Sequence, residues 1–293
     1  MVSRNSISSM NMKLEYWITT LLPVLILIYR NPKWRRTVKC YVKYLVFFVY
    51  LASISTLGLP LCLKHPANCK SMWVYASLLT PVSKILGIKW EIRHREKMIS
   101  NDKSSICIAN HQSLYDIVGM LLVFKSCSLR CGIIARNFFF WLWPVGLAMW
   151  MAGIVFIRRQ TGLEKTKQCF NEGAQRLFKN KEKLWVFVEG TRNKHPETLL
   201  PFKKGAFVTA IDNQVPLQPI LFSPFYFVDI KEKRFDSGKI IIEVMDPIST
   251  EGLTRDDLDD LVANTYTLMS EKHKQLMNEL KPCVEEYKNS ISR

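Results

Sequence analysis

The sequence predicts an α/β domain placed behind an N-terminal hydrophobic anchor. Two observations lead there. After Gly87 short apolar runs alternate with helix-like stretches and polar turns, the pattern of strands separated by helices. Before that point lie two runs without a charge, at 16–29 and 44–63. The whole chain has 293 residues, 48% of them hydrophobic, which suits one full-sized domain plus a short extra region.

In chain order, the first run (YWITTLLPVLILIY) has 14 residues with Pro23 inside it, short for a bilayer span. Arg30-Asn31-Pro32 follows, where a cleaved leader would have small residues. Six basic residues then fall between Arg30 and Lys43, and Tyr44–Leu63 supplies 20 uncharged residues, enough to cross a bilayer. Residues 1–64 therefore read as a membrane-anchoring hairpin, with aromatic ends and basic flanks that suit an interface. Two buried core helices are the alternative.

Residues 65–84 read as a helical connection, 85–282 as the α/β domain and 283–293 as a tail. Within the domain, strands are expected at Lys89–Ile92, Ser105–Ala109, Trp185–Val188, Leu217–Leu221 and Lys239–Met245. Helices are expected at Tyr115–Phe124, Gly162–Phe178 and Lys203–Ile211. A long C-terminal helix follows Thr254, its N-cap, with Leu258, Leu261, Val262, Thr265, Leu268 and Met269 at helical spacing. The segment Asn137–Ile157 is 21 residues without a charge, yet Pro144 and Gly146 interrupt it and its three tryptophans suit an interface. It is expected not to span, but to be partly core and partly an apolar surface dipped into one leaflet.

Charge narrows the partners. The chain carries 41 Lys+Arg against 25 Asp+Glu, a formal +16, which fits nucleic acid, an anionic membrane or phosphorylated substrates. No zinc-knuckle or RNP-type run appears, so nucleic acid is not expected. The eight cysteines are scattered and read as reduced thiols. Cys127 and Cys131 lie four apart without a second pair, and no metal site is expected.

The chemistry centres on NHQSLYD, Asn110–Asp116, directly after the predicted strand Ser105–Ala109. Five residues on an ideal helix is about 140° of rotation, so His111 and Asp116 do not share a helical face. The spacing suits a histidine on a strand-to-helix turn and an aspartate in the first helical turn, with Ser113 as N-cap. Asp116 is then either a capping residue only, or the partner that orients an imidazole for proton transfer. Ser113 has no nucleophile-elbow surroundings. Without a side-chain nucleophile, the proton must come from a substrate, such as an alcohol attacking an acyl donor.

A second block, Glu189-Gly190-Thr191-Arg192, ends another predicted strand, where α/β sheets hold ligands. Glycine, hydroxyl and arginine together make a reasonable phosphate-binding turn, although a plain strand-ending turn would read the same. A third block, Gly153 to Arg159, ends an apolar run with the guanidinium pair Arg158 and Arg159.

His111-x4-Asp116, Gly153-x-x-Phe156-Ile157-x-Arg159, Glu189-Gly190-Thr191-Arg192 and Val215-Pro216-x-x-Pro219-Ile220 resemble, in order and spacing, the four motifs of the glycerolipid acyltransferase family. The likeness is greatest to its animal 1-acyl-sn-glycerol-3-phosphate acyltransferase branch, and it extends over about residues 85–270. It implies a mixed sheet flanked by helices. The implied reaction moves a fatty acyl group from acyl-CoA to the sn-2 hydroxyl of lysophosphatidic acid, giving phosphatidic acid and CoA. Acyl-CoA is a co-substrate, and no cofactor is implied.

Carried over residue by residue, the resemblance makes His111 the general base and Asp116 its orienting partner. Phe156, Arg159, Glu189, Gly190, Thr191 and Arg192 fall in the acceptor site, and Val215, Pro216 and Pro219 in the donor site or its support. The endoplasmic reticulum membrane is the implied location, with the catalytic domain facing the cytoplasm. Two positions depart from the family pattern: Val188 replaces a usual proline, and Arg158 an aspartate often found before the motif arginine. The same chemistry on glycerol 3-phosphate or another lysophospholipid, or a non-catalytic lipid-binding scaffold, are the competing readings.

Overall fold

A computed structural model describes residues 15–157 and 163–292, leaving out 18, 22, 25, 28 and 196; for 163–167 and 288–292 it describes the backbone alone. The chain forms two compact units, Met1–Val46 with Phe227–Asp236, and Phe47–Tyr226 with Ser237–Arg293.

In the first unit, the described residues of 15–30 are helical, and part of the first hydrophobic run lies outside them. Asn31 interrupts the helix. Its side chain accepts from the backbone N–H of Lys33 at 3.0 Å and of Trp34 at 3.3 Å, a capping geometry that leaves proline at the first helical position. The helix Pro32–Leu57 starts there, so the basic run lies within it, not in a loop between two spans. Among the described residues it is the one helix long and apolar enough to cross a membrane. Lys39 pairs with Asp236 at 2.6 Å, and Lys43 donates to the Asp236 carbonyl at 2.9 Å. A two-stranded antiparallel ribbon, Val228–Asp229 with Arg234–Phe235, completes this unit.

In the second unit the predicted 44–63 helix stops early, at Leu57, and resumes as Leu59–Cys62. A Cβ on Gly58 would lie 2.5 Å from the Tyr75 ring, and Pro60 follows without an N–H to continue the ladder.

The second unit is built on seven strands: β1 Ile88–Arg93, β2 Ile106–Ala109, β3 Cys131–Arg136, β4 Val155–Ile157, β5 Lys183–Phe187, β6 Leu217–Phe222 and, after the ribbon strands β7 and β8, β9 Gly238–Val244. Their order across the sheet is β1-β9-β6-β2-β5-β3-β4. Every pairing is parallel except β6 with β9, so the sheet is mixed, as the resemblance implies. β2 and β6 are buried along their whole length, which is why they read as near-continuous apolar runs rather than as alternation. Ile106, Ile108, Leu184, Phe207, Leu217 and Leu221 lie in the core. Helices Asp116–Ser126, Leu163–Lys179, Gly205–Asp212 and Leu258–Ser292 match the predicted ones within a few residues, apart from the C-terminal reach of the last. Thr254 heads that last helix in a full capping box with Asp257.

The apolar segment 137–157 does not form a spanning helix. It makes a 3₁₀ turn Asn137–Trp141, a helix Val145–Met151 and strand β4. Two glycines enforce the breaks. A Cβ on Gly146 would collide with the Phe140 carbonyl oxygen, and Gly153 has φ +79 against the Asn68 backbone. The segment ends as an edge strand of the same sheet that carries β2 and β5.

Candidate active site

β2 and β5 are parallel neighbours with Ala109 opposite Phe187, so the turns that follow them emerge side by side at the carboxyl end of the sheet. The first of these turns is NHQSLYD. Asn110 anchors it: its fully buried amide donates to the Phe222 carbonyl at 3.0 Å and accepts from the Phe222 N–H at 2.8 Å. Gln112 donates to the same carbonyl at 3.0 Å. The residues on either side of His111 are thereby tied to the end of β6.

His111 Nδ1 lies 2.7 Å from Asp116 Oδ2. That oxygen also accepts from the backbone N–H of Gln112 at 2.6 Å and of Ser113 at 2.8 Å. Asp116 is fully buried while the His111 side chain keeps 19% of its exposure. An oxygen already accepting from two amides is an acceptor for the third group as well, so Nδ1 carries the proton and Nε2 is the free basic nitrogen. The ring plane is set by stacking on Phe187, with centroids 4.2 Å apart and an 18° interplanar angle. One carboxylate oxygen thus meets both the backbone of the turn and the imidazole. Ser113 Oγ accepts from the Tyr115 N–H at 3.2 Å, a role in the turn.

The second turn carries Glu189-Gly190-Thr191-Arg192. Gly190 takes φ +69, a left-handed conformation that a side chain would strain. Its N–H bonds the Phe187 carbonyl at 3.1 Å, and Asn193 N–H reaches the His111 carbonyl at 2.7 Å. Thr191 and Arg192 are exposed at this same end. Glu189 is not: it is 1% exposed. Burial pushes its carboxyl up to about 7, opposed by N–H groups of Leu200 and His111 and assisted by the Asp116 charge. Of the four residues of this turn that the resemblance assigns to the acceptor, Glu189 is the one whose side chain is buried.

Phe156 lies in edge strand β4, the third neighbour of β2, roughly 14 Å away at ~4.8 Å per strand, and its ring meets Phe140 edge-on at 5.5 Å. With Ala67, Asn137, Trp150 and Arg176 it lines a cleft of 290 Å³. Arg158 and Arg159 lie outside the described residues. Val215, Pro216 and Pro219 do not reach the turns. Ile106 N–H bonds the Pro216 carbonyl at 3.0 Å, which sets Val215 and Pro216 at the opposite end of the sheet, about 20 Å from His111 at ~3.3 Å per residue. Pro219 sits mid-sheet opposite Ile108.

Sequence reasoning missed Asn110, Gln112 and Phe187. The local signal was there for Asn110, a polar residue ending a fully apolar strand, but its partner lies 112 positions away.

An imidazole oriented by a buried carboxylate, beside an arginine-bearing turn at the carboxyl end of an α/β sheet, defines an acyl-transfer type of site. A family model described as Acyltransferase matches residues 91–223, which contain both turns. The chain belongs to the glycerolipid acyltransferase family. It is 36% identical to human 1-acyl-sn-glycerol-3-phosphate acyltransferase alpha over 211 residues, 71% of this chain and 72% of the relative. With the human beta protein it shares 30% over 259 residues, covering 87% and 91%. A Haemophilus influenzae 1-acyl-sn-glycerol-3-phosphate acyltransferase is 33% identical over 219 residues, covering 74% and 86%. The crystal structure of the Thermotoga maritima acyltransferase PlsC has the same fold, with a TM-score of 0.61, 21% identity, and coverage of 84% of this chain and 96% of that one.

Proposed function

We propose that this acyltransferase moves a fatty acyl group from acyl-CoA to the sn-2 hydroxyl of 1-acyl-sn-glycerol 3-phosphate, at the cytoplasmic face of the endoplasmic reticulum membrane. The observation that carries the reading is the His111–Asp116 pair, with Nδ1 occupied and Nε2 free. The acceptor hydroxyl attacks the thioester carbonyl while Nε2 takes its proton. The tetrahedral intermediate collapses, the C–S bond breaks, and the imidazolium returns the proton to the departing CoA thiolate. No enzyme nucleophile is required. The relatives' names support the acceptor, and Arg192, exposed beside His111, suits its phosphate. The acyl-CoA donor is the family's eukaryotic expectation.

The test is acyl transfer by the purified full chain in vesicles, with labelled acyl-CoA or acyl-carrier protein as donor. Lysophosphatidic acid, glycerol 3-phosphate and lysophosphatidylcholine serve as acceptors. Phosphatidic acid from acyl-CoA is the expected product, and a preference for either other acceptor or for the carrier protein would overturn the assignment. Arg192→Lys is expected to raise KM for lysophosphatidic acid about tenfold, since lysine loses the bidentate geometry, with KM for acyl-CoA unchanged. An equal rise in both would remove Arg192 from the acceptor site.

The bilayer is the third partner. Phe138, Trp141 and Trp143 stand 67%, 74% and 74% exposed on a turn whose Gly146 N–H and Phe140 ring are both engaged. A rigid aromatic patch beside exposed Arg136 suits the lipid interface. The double substitution Trp141→Ser, Trp143→Ser is expected to weaken binding of the full chain to anionic vesicles several-fold, measured by co-flotation. Undiminished flotation would leave the anchoring to the N-terminal helix alone.

A further inference from the structure

We infer that the ribbon Phe227–Asp236 is a membrane-contacting surface whose turn, Ile230–Lys233, binds the headgroups of an anionic leaflet. The inference takes the bilayer as a partner, as proposed above, and adds a surface that reads its charge. Depth comes first. Trp34 and Tyr41 are exposed on the part of helix Pro32–Leu57 that carries Lys33, Arg35, Arg36, Lys39 and Lys43. From Tyr44 onward the helix has no charge. Exposed aromatics and cations that give way to an apolar run mark the headgroup level of a membrane helix. The ribbon is fastened at that level. Lys39 pairs with Asp236 at 2.6 Å, and Lys43 donates to the Asp236 carbonyl at 2.9 Å. The Lys43 ammonium lies 4.5 Å over the Phe235 ring, and Tyr44 meets the same ring edge-on at 5.9 Å.

The turn at the tip is preformed and cationic. Asp229 Oδ1 accepts from Glu232 N–H at 3.1 Å, and Lys233 N–H bonds the Ile230 carbonyl at 3.2 Å. Asp236 N–H closes the base of the ribbon on the Phe227 carbonyl at 3.0 Å. Phe227 and Phe235 are buried, whereas Ile230 is 65% exposed, and Lys231, Glu232 and Lys233 are exposed beside it. Among the described residues neither Lys231 nor Lys233 has an acidic partner. Residues 30–46 and 227–236 together hold nine Lys+Arg against three Asp+Glu. Two of those three acids are already engaged, Asp229 with the turn and Asp236 with Lys39, so the positive surplus is left for an outside anion. Ile230 and Lys233 each lie two residues beyond the Val228–Phe235 pair, about 7 Å at ~3.3 Å per residue. That is within the Debye length of about 8 Å at physiological ionic strength, so the lysines feel lipid phosphates whichever way the tip points. An apolar side chain set among lysines suits an interface. An acidic protein could also meet the lysines, but a surface held at headgroup depth faces lipid.

The test replaces Ile230 of the full chain with the photo-crosslinking residue p-benzoylphenylalanine. The protein is reconstituted into vesicles of phosphatidylcholine alone, or of phosphatidylcholine mixed with phosphatidylserine, with one lipid radiolabelled at a time. Illumination is expected to transfer label to the protein, with phosphatidylserine captured about fivefold beyond its share, the weight of roughly one lysine near a charged surface. Adding Lys231→Glu and Lys233→Glu is expected to abolish that preference and to leave melting, and activity in neutral detergent micelles, unchanged. Capture of phosphatidylserine in proportion to its share, unaltered by the double substitution, would overturn the inference. Protein that floats with the vesicles yet takes no lipid label at position 230 would overturn it equally. Floating with neither vesicle would remove the bilayer as a partner, and the inference with it. The label needs no substrate, so a wild type inactive on lysophosphatidic acid would count against the proposed reaction and leave this result standing.

Discussion

His111→Ala is expected to lower kcat by roughly 10²–10⁴-fold, the usual worth of a general base, while acyl-CoA still binds with its wild-type affinity. The side chain keeps 19% of its exposure and stacks on Phe187, so thermal melting of the variant separates lost proton transfer from lost packing. The turn does not depend on the ring. Asn110 and Gln112 hold it to β6, and Asn193 holds its backbone. Unaltered kcat in a variant that melts like wild type would exclude proton transfer to this imidazole and with it the mechanism above.

Asp116→Asn is expected to cost about 10²-fold in kcat, less than the ~10⁴-fold known where such a change also reverses the imidazole tautomer. The reason lies in the hydrogen-bonding set. Two backbone N–H groups, from Gln112 and Ser113, point at the same oxygen that meets His111. They would reject an amide NH₂ in that place, so the asparagine oxygen must take it and the NH₂ must turn to the buried site of Oδ1, which has no partner. Nδ1 then still donates, and what is lost is the charge that stabilises the imidazolium. Asp116→Ala removes the acceptor for all three donors. It should add a drop in melting temperature worth about 1–2 kcal/mol and a further loss of rate. The two variants falling equally in kcat would show that charge plays no part and that the carboxylate acts only through the turn.

The central strands were legible because burial on both faces leaves a plain apolar run, as at Ile106–Ala109 and Leu217–Phe222. β3 and β4 were not. Cys131–Arg136 contains a glycine and ends in arginine, and Val155–Ile157 has three residues inside a stretch whose composition resembles a membrane segment. Helix Pro32–Leu57 starts earlier than its uncharged stretch because a helix can carry basic residues on exposed faces, and the true start signal was Asn31-Pro32. At the site, the five-residue separation of His111 and Asp116 is local and could be reasoned from geometry. That Glu189 is buried while Thr191 and Arg192 are exposed was not legible, because no local pattern tells which of four consecutive residues turns inward. Phe187, under the imidazole, is invisible without the pairing of β2 with β5.

The pairing of β1 with β9 sets a condition on how this chain is made. Ile88 lies opposite Gly238, so the partners are 238 less 88, or 150, residues apart. At about 5–20 residues per second, ribosomal synthesis separates them by on the order of 10 s. Throughout that interval β1 has no neighbour, because β9 alone joins it to the rest of the sheet. β2 likewise waits for β5 and then β6. Pairings this remote close slowly and leave strand edges open meanwhile. The apolar helix Pro32–Leu57, by contrast, needs only its own residues and leaves the ribosome before any strand of the sheet. Docking of that helix into a bilayer while synthesis continues would hold the unfinished sheet at a surface, at low local concentration of other nascent chains. A helix so docked would act while the chain is being made, before the enzyme is complete.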